Sequence, residues 1–324
     1  MTSLEEPAHL TLDLIREAHE RIKDKITRTP VMTSGTLDRL AGSKLFFKCE
    51  NFQKTGSFKA RGATNAVFSL SQSQAQRGVA THSSGNHGAA LARAAQLRGI
   101  RAYVVMPDNS PHVKQDSVRR YGGQITFCEP TLAAREKALE RLIADHGACV
   151  IHPYNDRRVM AGQGTAAVEL IEAVPELDIV LTPVAGGGLL SGIAVAAKSL
   201  KPSIHVIGVE PAAADDAARS FRSGRIVPSV NPATIADGLR ASLGDKTFAE
   251  IRRSVDDIVT ISEESIVSAM RRIWEVMKIL VEPSGAVAYA AVVEGKLDVN
   301  GKRVGLVLTG GNLDLERLPW PQLP

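Results

Sequence analysis

The sequence predicts an α/β fold with two lobes, each a mainly parallel twisted sheet flanked by helices. Three observations favour this class. Short, apolar and β-branched segments alternate along the chain with helical patterns about ten residues long, which is the order that parallel sheets require. The strand-like segments fall into two clusters, which indicates two sheets. The 324 residues, of which 44% are hydrophobic and 23% charged, also suffice for two cores.

The individual elements follow from the spacing of apolar residues. The first cluster of predicted strands comprises 44–50, 78–81, 102–106, 125–128 and 149–152, and the second comprises 179–182, 205–209, 258–261 and 304–308. The clearest helical patterns are 89–97, 132–144, 166–173 and 265–280. The two clusters meet near 152–165. We expect a large lobe from 1–70 and 154–324, which includes the predicted strand 44–50, and a small, mobile lobe from 71–153.

Composition argues against several classes of function. The formal net charge is +4, with both signs interspersed, so a nucleic-acid partner is not expected. Cys49, Cys128 and Cys149 lack Cys-x-x-Cys spacing and are odd in number, which disfavours a zinc site or a disulfide framework. The first residues are acidic, and no stretch approaches the roughly 20 apolar residues of a membrane-spanning helix. We therefore expect a cytoplasmic protein without a membrane partner.

The most informative segment is 51–63, which reads Asn-Phe-Gln-Lys-Thr-Gly-Ser-Phe-Lys-Ala-Arg-Gly-Ala. Lys59 lies there among small residues, between Gly56 and Gly62. Burial in such surroundings would lower the pKa of the amine and prepare it to form a Schiff base with an aldehyde cofactor. An isolated lysine more often keeps its ammonium group in water. The turns that follow several predicted strands favour the first interpretation.

Two of these turns lead from a predicted strand into a helix. Segment 81–88, Thr-His-Ser-Ser-Gly-Asn-His-Gly, offers hydroxyls and backbone N–H groups at a helix start, which suits a carboxylate. Segment 183–192 contains Gly186, Gly187 and Gly188, whose N–H groups could bind a phosphate. It matches neither a Walker loop nor the GxGxxG spacing of a dinucleotide site. A well-capped helix and an ordinary tight turn are the respective alternatives.

Two further turns carry polar side chains after predicted strands. Thr309 places a neutral hydroxyl directly after the last strand, where it could bond a ring nitrogen. In 210–216, Glu210 and Asp216 provide two carboxylates with backbone carbonyls between them, a set that suits a hard divalent cation. Because such acids are often only solvated, an ordinary surface loop is the alternative there.

In this order, the motifs resemble those of the serine racemase and serine/threonine dehydratase family of pyridoxal 5'-phosphate (PLP) enzymes. The resemblance covers nearly the whole chain and is carried by 57–59, 84–86, the glycine loop at 186–188 and 309–312. Microbial hydroxyaspartate dehydratases look most similar, particularly along 210–224. The resemblance implies the fold type II architecture of the tryptophan synthase β subunit, a PLP site in the large lobe, and a homodimer.

The resemblance implies a role toward PLP for each matching residue. Lys59 would form the Schiff base and act as the base on one face. The other residues would contact the ring (Phe58), the phenolic oxygen (Asn86), the phosphate (Gly186, Gly187, Gly188 and Leu189) and the pyridine nitrogen (Thr309). Ala185 departs from related loops, which often begin with a further glycine, but three glycines remain to hold the phosphate.

Substrate and metal sites are implied in the same way. The loop containing Ser83, Ser84, Asn86 and His87 resembles the one that receives the substrate carboxylate, and Arg135 sits where serine racemases place an arginine near the active site. In the racemases, the residue matching Ser84 is also the acid/base opposite the lysine. Glu210, the carbonyl of Ala214 and Asp216 match a divalent-cation site for Mg²⁺, or for Ca²⁺ or Mn²⁺.

The chemistry of these residues favours β-elimination. A hydroxyl such as that of Thr309 cannot fully protonate the pyridine nitrogen, which weakens the electron sink and favours prompt loss of a β-hydroxyl group. We expect a β-hydroxy amino acid to be converted to a 2-oxo acid and ammonia: 3-hydroxyaspartate to oxaloacetate, or else L-serine or L-threonine. The segment His152-Pro-Tyr154 looks more like the microbial dehydratases, and Arg157 and Arg158, at the junction between the lobes, could supply a cation for the second carboxylate. The alternatives are a serine or aspartate racemase, a β-replacement enzyme, or a non-catalytic binding protein on this scaffold.

Overall fold

The computed structural model describes residues 8–83, 85–110 and 112–320. The strands are β1 (Val31–Met32), β2 (Lys44–Cys49), β3 (Val79–His82), β4 (Ala102–Pro107), β5 (Gln124–Cys128), β6 (Cys149–Val150), β7 (Ile179–Pro183), β8 (His205–Pro211), β9 (Asp257–Ile261) and β10 (Arg303–Leu308). The helices are α1 (Leu12–Ile22), α2 (Gly35–Ala41), α3 (Lys59–Phe68), α4 (Gln72–Gln76), α5 (Asn86–Arg98), α6 (His112–Arg120), α7 (Leu132–His146), α8 (Arg157–Ala173), α9 (Gly188–Leu200), α10 (Asp216–Ser223), α11 (Asp245–Ser254), α12 (Glu263–Arg272) and α13 (Pro283–Val293).

The larger sheet has six strands in the order β1-β2-β10-β7-β8-β9. Only β1 pairs antiparallel in this sheet; the other pairs are parallel. Its central strands are apolar on both faces because helices cover both sides. In β7, Val180 packs into one apolar cluster, whereas Ile179 and Leu181 pack into the other. This alternation follows from the two-residue period of a strand.

The smaller sheet has four parallel strands in the order β5-β4-β3-β6. Strand β4 is buried along its whole length, as expected for a central strand. Because the strands of each sheet run parallel, their carboxyl ends meet at one edge, where ligands bind in folds of this kind. The fold class is therefore confirmed, while the boundaries of the two lobes stay a prediction.

Close packing of α3 against α8 depends on two glycines. A Cβ atom on Gly162 would lie 2.6 Å from the Cα of Gly62, and one on Gly62 would lie 2.7 Å from the carbonyl oxygen of Val159. Neither position can carry a larger side chain without separating the helices. Since α3 begins at Lys59, the close contact between the helices also positions the lysine.

A cluster of four buried charges lies behind α3. Arg61 donates to Glu50 (Nε–Oε2, 2.7 Å) and to Glu169 (Nη2–Oε2, 2.8 Å). Lys48, which lies in β2, donates to the same Glu169 oxygen at 2.6 Å. With two cations and two carboxylates, the cluster is electrically neutral. Its members come from β2, the following turn, α3 and α8, so the cluster ties those elements together.

The predicted strands are confirmed to within one or two residues, and the helices differ more. Helix α8 begins nine residues before the predicted 166–173, because Asp156 caps it by accepting from the backbone N–H of Arg158. The prediction of one helix over 265–280 is wrong beyond Arg272, where a wider π-type turn spans Ile273–Met277 and Lys278 adopts a φ of 60°. Within the described residues, no helix is both long and apolar enough to cross a membrane.

Candidate active site

Lys59 is the first residue of α3. Its Nζ donates to the carbonyl oxygen of Pro153 at 2.8 Å and lies 5.1 Å from the centre of the Phe58 ring. The side chain keeps some accessible surface but is densely surrounded by protein. This burial lowers the pKa of the amine to about 8. The ammonium form is thus destabilised, which favours a nucleophilic amine.

The segment after β3 brings several predicted residues to the start of α5. The backbone N–H of Ser83 donates to Val105, and its hydroxyl accepts from the backbone N–H of Gly85 at 3.4 Å. His87 is buried, with Nε2 3.2 Å from the carbonyl oxygen of Ile151, and burial places its pKa well below the ordinary value. It is therefore a neutral imidazole. Ser84 lies outside the described residues.

Asn86, the first residue of α5, belongs to a chain of hydrogen bonds. Its Oδ1 accepts from Nδ2 of Asn312 at 2.9 Å, and its own Nδ2 donates to Oε1 of Glu282 at 2.9 Å. Burial, aided by repulsion from Asp237, raises the pKa of Glu282 to about 8. Sequence reasoning assigned no role to Glu282 or Asn312. The available signals were an acid directly before the apolar helix α13 and the asparagine of the Thr-Gly-Gly-Asn turn.

The glycine loop between β7 and α9 has no room for side chains. A Cβ atom on Gly186 would lie 2.5 Å from Cδ1 of Tyr154, and Gly187 has a φ of +89°, which favours glycine. The carbonyl oxygen of Gly186 accepts from the hydroxyl of Thr247 at 2.7 Å. Because α9 starts at Gly188, its first N–H groups have no intrahelical acceptor and suit an anion.

Thr309 connects the end of β10 to the segment that carries the lysine. Its carbonyl oxygen accepts from the backbone N–H of Phe58 at 3.0 Å, and the next residue, Gly310, forms a β-bridge with Ser57. Its buried hydroxyl donates to the carbonyl oxygen of Ser284 at 3.2 Å. The neutral hydroxyl and the lysine are therefore held on adjacent segments.

Glu210 and Asp216 are two buried acids at the end of β8 and the start of α10. Glu210 accepts from the backbone N–H groups of Ala217 (3.2 Å) and Ala218 (2.6 Å), yet burial and the nearby Asp216 raise its pKa to about 8. Burial also raises the pKa of Asp216 to about 6, and its Oδ2 has no hydrogen-bond partner in the part of the chain described. An unpartnered buried carboxylate oxygen fits a cation ligand.

These acids do not form a complete metal site alone. Among the described side chains, no group of three or more His, Cys, Asp or Glu could hold a metal ion. Two carboxylates therefore need backbone carbonyls, such as that of Ala214, or water to reach the six or more oxygen ligands of Mg²⁺ or Ca²⁺.

The three predicted arginines have different surroundings. Arg135, on α7, is close enough for its charge to lower the pKa of His82, although its Nε donates to the carbonyl oxygen of Thr131 at 3.3 Å. Arg157 donates to the carbonyl oxygen of Ala8 at 2.7 Å, and Arg158 pairs with Asp156 at 2.6 Å. These contacts of Arg157 and Arg158 are structural, whereas the charge of Arg135 reaches His82 in the segment before α5.

A family model described as pyridoxal-phosphate dependent enzyme matches residues 22–310. The chain belongs to this family. It is 52% identical over 303 residues to a beta-hydroxyaspartate dehydratase of Paracoccus denitrificans, covering 94% of this chain and 96% of that protein. It is also 52% identical over 309 residues to a serine racemase of Arabidopsis thaliana, covering 94% and 93%. The crystal structure of serine racemase from Dictyostelium discoideum superposes with a TM-score of 0.91 at 48% identity, covering 94% of this chain and 99% of that one.

Membership of the pyridoxal-phosphate dependent enzymes confirms the predicted cofactor and the resemblance. Several of the predicted residues are linked to the segment around Lys59. Phe58 donates to Thr309, Asn86 is linked to Thr55 through Asn312, and the charge of Lys59 adds to burial in lowering the pKa of His87. Ser83 follows β3, and the glycine loop leads into α9. Glu210 and Asp216 lie at the same edge of the large sheet, after β8. Their individual roles toward cofactor, substrate and metal are taken up below as proposals.

Proposed function

We propose that this chain is a PLP-dependent dehydratase that converts 3-hydroxyaspartate to oxaloacetate and ammonia. A proton leaves Cα, the β-hydroxyl departs as water, and water then replaces the nitrogen at Cα, so no oxidant or reductant is needed. The observation that carries the proposal is the half-buried Lys59 amine at the start of α3, which donates to the carbonyl oxygen of Pro153. Similarity to the Paracoccus dehydratase supports the choice of substrate.

The surroundings of Lys59 fit PLP. When bound, PLP supplies an electron sink for the electron pair that remains on Cα after proton loss. Lys59 would hold the aldehyde carbon covalently and take the Cα proton. The N–H groups of Gly186, Gly187, Gly188 and Leu189 would bind the phosphate, with the positive end of α9 assisting. Phe58 would contact the ring.

Thr309 would meet the pyridine nitrogen, and its hydroxyl is the reason to favour elimination. A neutral hydroxyl can share a hydrogen bond with this nitrogen once it turns its one hydrogen away from the carbonyl oxygen of Ser284, whereas a carboxylate would stabilise a full positive charge there. The electron sink is therefore weaker, and prompt loss of the β-hydroxyl becomes the favoured way to relieve negative charge. The equally similar serine racemase supports a second activity, racemisation. In that reaction, Ser84 would return a proton from the face opposite Lys59.

Two places would receive the substrate's carboxylates. The α-carboxylate would bind at the start of α5, where Ser83, Asn86 and His87 lie and the positive end of the helix dipole favours an anion. The resemblance implies that Ser84 would take part as well. The second carboxylate of 3-hydroxyaspartate would pair with Arg135, whose charge already reaches His82. Serine and threonine lack this second carboxylate, so they would not use Arg135.

Glu210, Asp216 and the carbonyl of Ala214 would bind Mg²⁺, or Ca²⁺ or Mn²⁺ in its place. The cation would neutralise two acids that otherwise repel one another inside the protein. The site lies at the end of β8, on elements other than the one that carries Lys59. The role of the cation would therefore be to stabilise this edge of the sheet. The working form would be a homodimer, as the resemblance implies.

A substrate panel tests the proposal. L-Serine, L-threonine and both 3-hydroxyaspartate diastereomers are incubated with the enzyme, with and without Mg²⁺, while 2-oxo acid, ammonia and enantiomers are measured. We expect one hydroxyaspartate diastereomer to give the highest kcat/KM. Arg135→Ala should raise KM for that substrate at least tenfold and leave serine unchanged, whereas Arg141→Ala, on the same helix, should change neither. Serine turnover that exceeds hydroxyaspartate turnover would refute the proposed substrate.

A further inference from the structure

The hydrogen bonds of Asn312 fix the direction of its own side-chain amide. Its Nδ2 lies 2.7 Å from the carbonyl oxygen of Thr55, which can only accept a hydrogen bond. Nδ2, rather than Oδ1, must therefore face Thr55. Thr55 itself has a φ of 62°, an unusual conformation for a β-branched residue, and this conformation accompanies the turn that presents the carbonyl. The second hydrogen of Asn312 Nδ2 goes to Oδ1 of Asn86, at 2.9 Å.

The direction set at Asn312 carries over to Asn86. Because both hydrogens of Asn312 Nδ2 are donated, the atom of Asn86 that it meets must be an acceptor, namely Oδ1. Nδ2 of Asn86 then lies on the other side and donates one hydrogen to Oε1 of Glu282, at 2.9 Å. Each amide nitrogen has two hydrogens, so one hydrogen of Asn86 is left for a further acceptor.

Glu282, the last member of this series of hydrogen bonds, is fixed in position by burial and by its main-chain contact. Only 4% of its surface is exposed, and its backbone N–H donates to the carbonyl oxygen of Gly310 at 3.0 Å. A Cβ atom on Gly310 would overlap the Glu282 carboxyl group. The carboxyl group can therefore occupy this place only because residue 310 is glycine. The chain of hydrogen bonds runs from the carbonyl of Thr55 through Asn312 and Asn86 to this carboxyl group.

We infer that Asn312 and Glu282 are positioning residues that make Asn86 present an N–H group, rather than its carbonyl oxygen, to the phenolic oxygen of PLP. The inference rests on the proposed contact between Asn86 and PLP. An ionised phenolic oxygen is stabilised by a donor and repelled by a carbonyl oxygen. A protonated phenol would instead favour the carbonyl oxygen. The orientation of a single amide therefore selects the ionised form of the cofactor's oxygen.

Asn312 contributes more than Glu282 to fixing the orientation of the Asn86 amide. Glu282 can accept from Asn86 when ionised and can donate to it when protonated, so a carboxyl group alone would permit both orientations of the amide. Asn312 permits only one, because its own orientation is set by a main-chain carbonyl. Removing Asn312 should therefore allow Asn86 to flip, whereas replacing Glu282 by glutamine, which keeps an acceptor oxygen, should not.

The test uses the holoenzyme and reads the cofactor instead of turnover. In Asn312→Ala, absorption spectra recorded against pH should show a larger fraction of bound PLP with a protonated phenolic oxygen than in the wild type. PLP should also dissociate roughly tenfold faster, in line with the loss of a charge-assisted hydrogen bond. Glu282→Gln should keep the wild-type spectrum, and Asn300→Ala, at an exposed asparagine, should change neither property.

A double-mutant comparison separates positioning from general damage. In an Asn86→Ala background, Asn312→Ala should have no further effect on the spectrum, because the amide that it orients is absent. An unchanged spectrum for Asn312→Ala, or an equal change in the Asn86→Ala background, would overturn the inference. Asn312→Asp gives a second arm if Asn312→Ala does not fold: a carboxylate there can only accept, so Asn86 should turn its N–H group toward it and the spectrum should shift in the same direction. An unshifted spectrum in that variant would also overturn the inference. Because no substrate is present, an error in the proposed substrate leaves this test unaffected.

Discussion

The pKa of Lys59 leads to a quantitative prediction about how fast the amine reacts. Burial lowers this pKa from 10.5 to about 8. At pH 7, a group with a pKa of 8 is about 9% free amine, whereas one with a pKa of 10.5 is about 0.03% free amine. Lys59 should therefore present roughly 300 times more nucleophile than an ordinary lysine.

The assay measures the rate at which PLP attaches to enzyme from which the cofactor has been removed, from pH 6 to 10, with N-acetyl-lysine as the reference amine. Below pH 8 the rate for the protein should rise about tenfold per pH unit, because the free-amine fraction does so. Above pH 8 it should level off, whereas the reference should continue to rise toward its ordinary pKa near 10.4. A protein rate that still rises steeply between pH 9 and 10 would refute the assigned burial of the amine.

Three other predictions concern stability and metal binding. Arg61→Leu leaves two buried carboxylates with one cation, so the free energy of unfolding in urea should fall by about 3–5 kcal/mol. The exposed control Arg16→Leu should lose less than about 1 kcal/mol. Equal losses in the two variants would contradict the neutral cluster. Gly186→Ala places a Cβ against Tyr154, so the free energy of unfolding in urea should fall by about 1–3 kcal/mol. The variant should also retain PLP less well, as measured by absorbance. Unchanged retention would contradict the proposed binding of the phosphate by the glycine loop. Saturating Mg²⁺, at about 100 times its Kd, should stabilise the wild type by about 2.7 kcal/mol in thermal unfolding but not Asp216→Asn, and an identical response would remove Asp216 from the site.

The fold was predictable because its signals are local. Strands such as β7 and β10 are short apolar runs with helical patterns on either side, and their alternation alone predicts parallel sheets. Helix α3 was not predicted, because its ten residues mix polar residues, alanine and glycine and show no apolar stripe. Its stability depends on contact between Gly62 and Gly162, a hundred residues apart, which no local pattern shows.

The same distinction applies to the site. Lys59, the glycine loop and Thr309 could be predicted because each motif combines its chemistry with a strand end or helix start nearby in sequence. Glu282 and Asn312 could not, since their hydrogen-bond partner Asn86 lies 196 and 226 residues away. Partners at such separations are brought together by the tertiary fold, which no local pattern shows. Sequence patterns therefore point more readily to groups that carry chemistry than to groups that orient them.

The central claim is that Lys59 carries the cofactor. The purified enzyme is reduced with borohydride, which makes the bond between an amine and PLP permanent, and the digested peptides are then mapped by mass spectrometry. The account predicts reduced cofactor on Lys59 and its loss in Lys59→Ala, with the buried Lys48 unmodified in both proteins. Cofactor on another lysine, or no modified lysine in an enzyme that still binds PLP, would contradict the assignment from which the proposed chemistry starts.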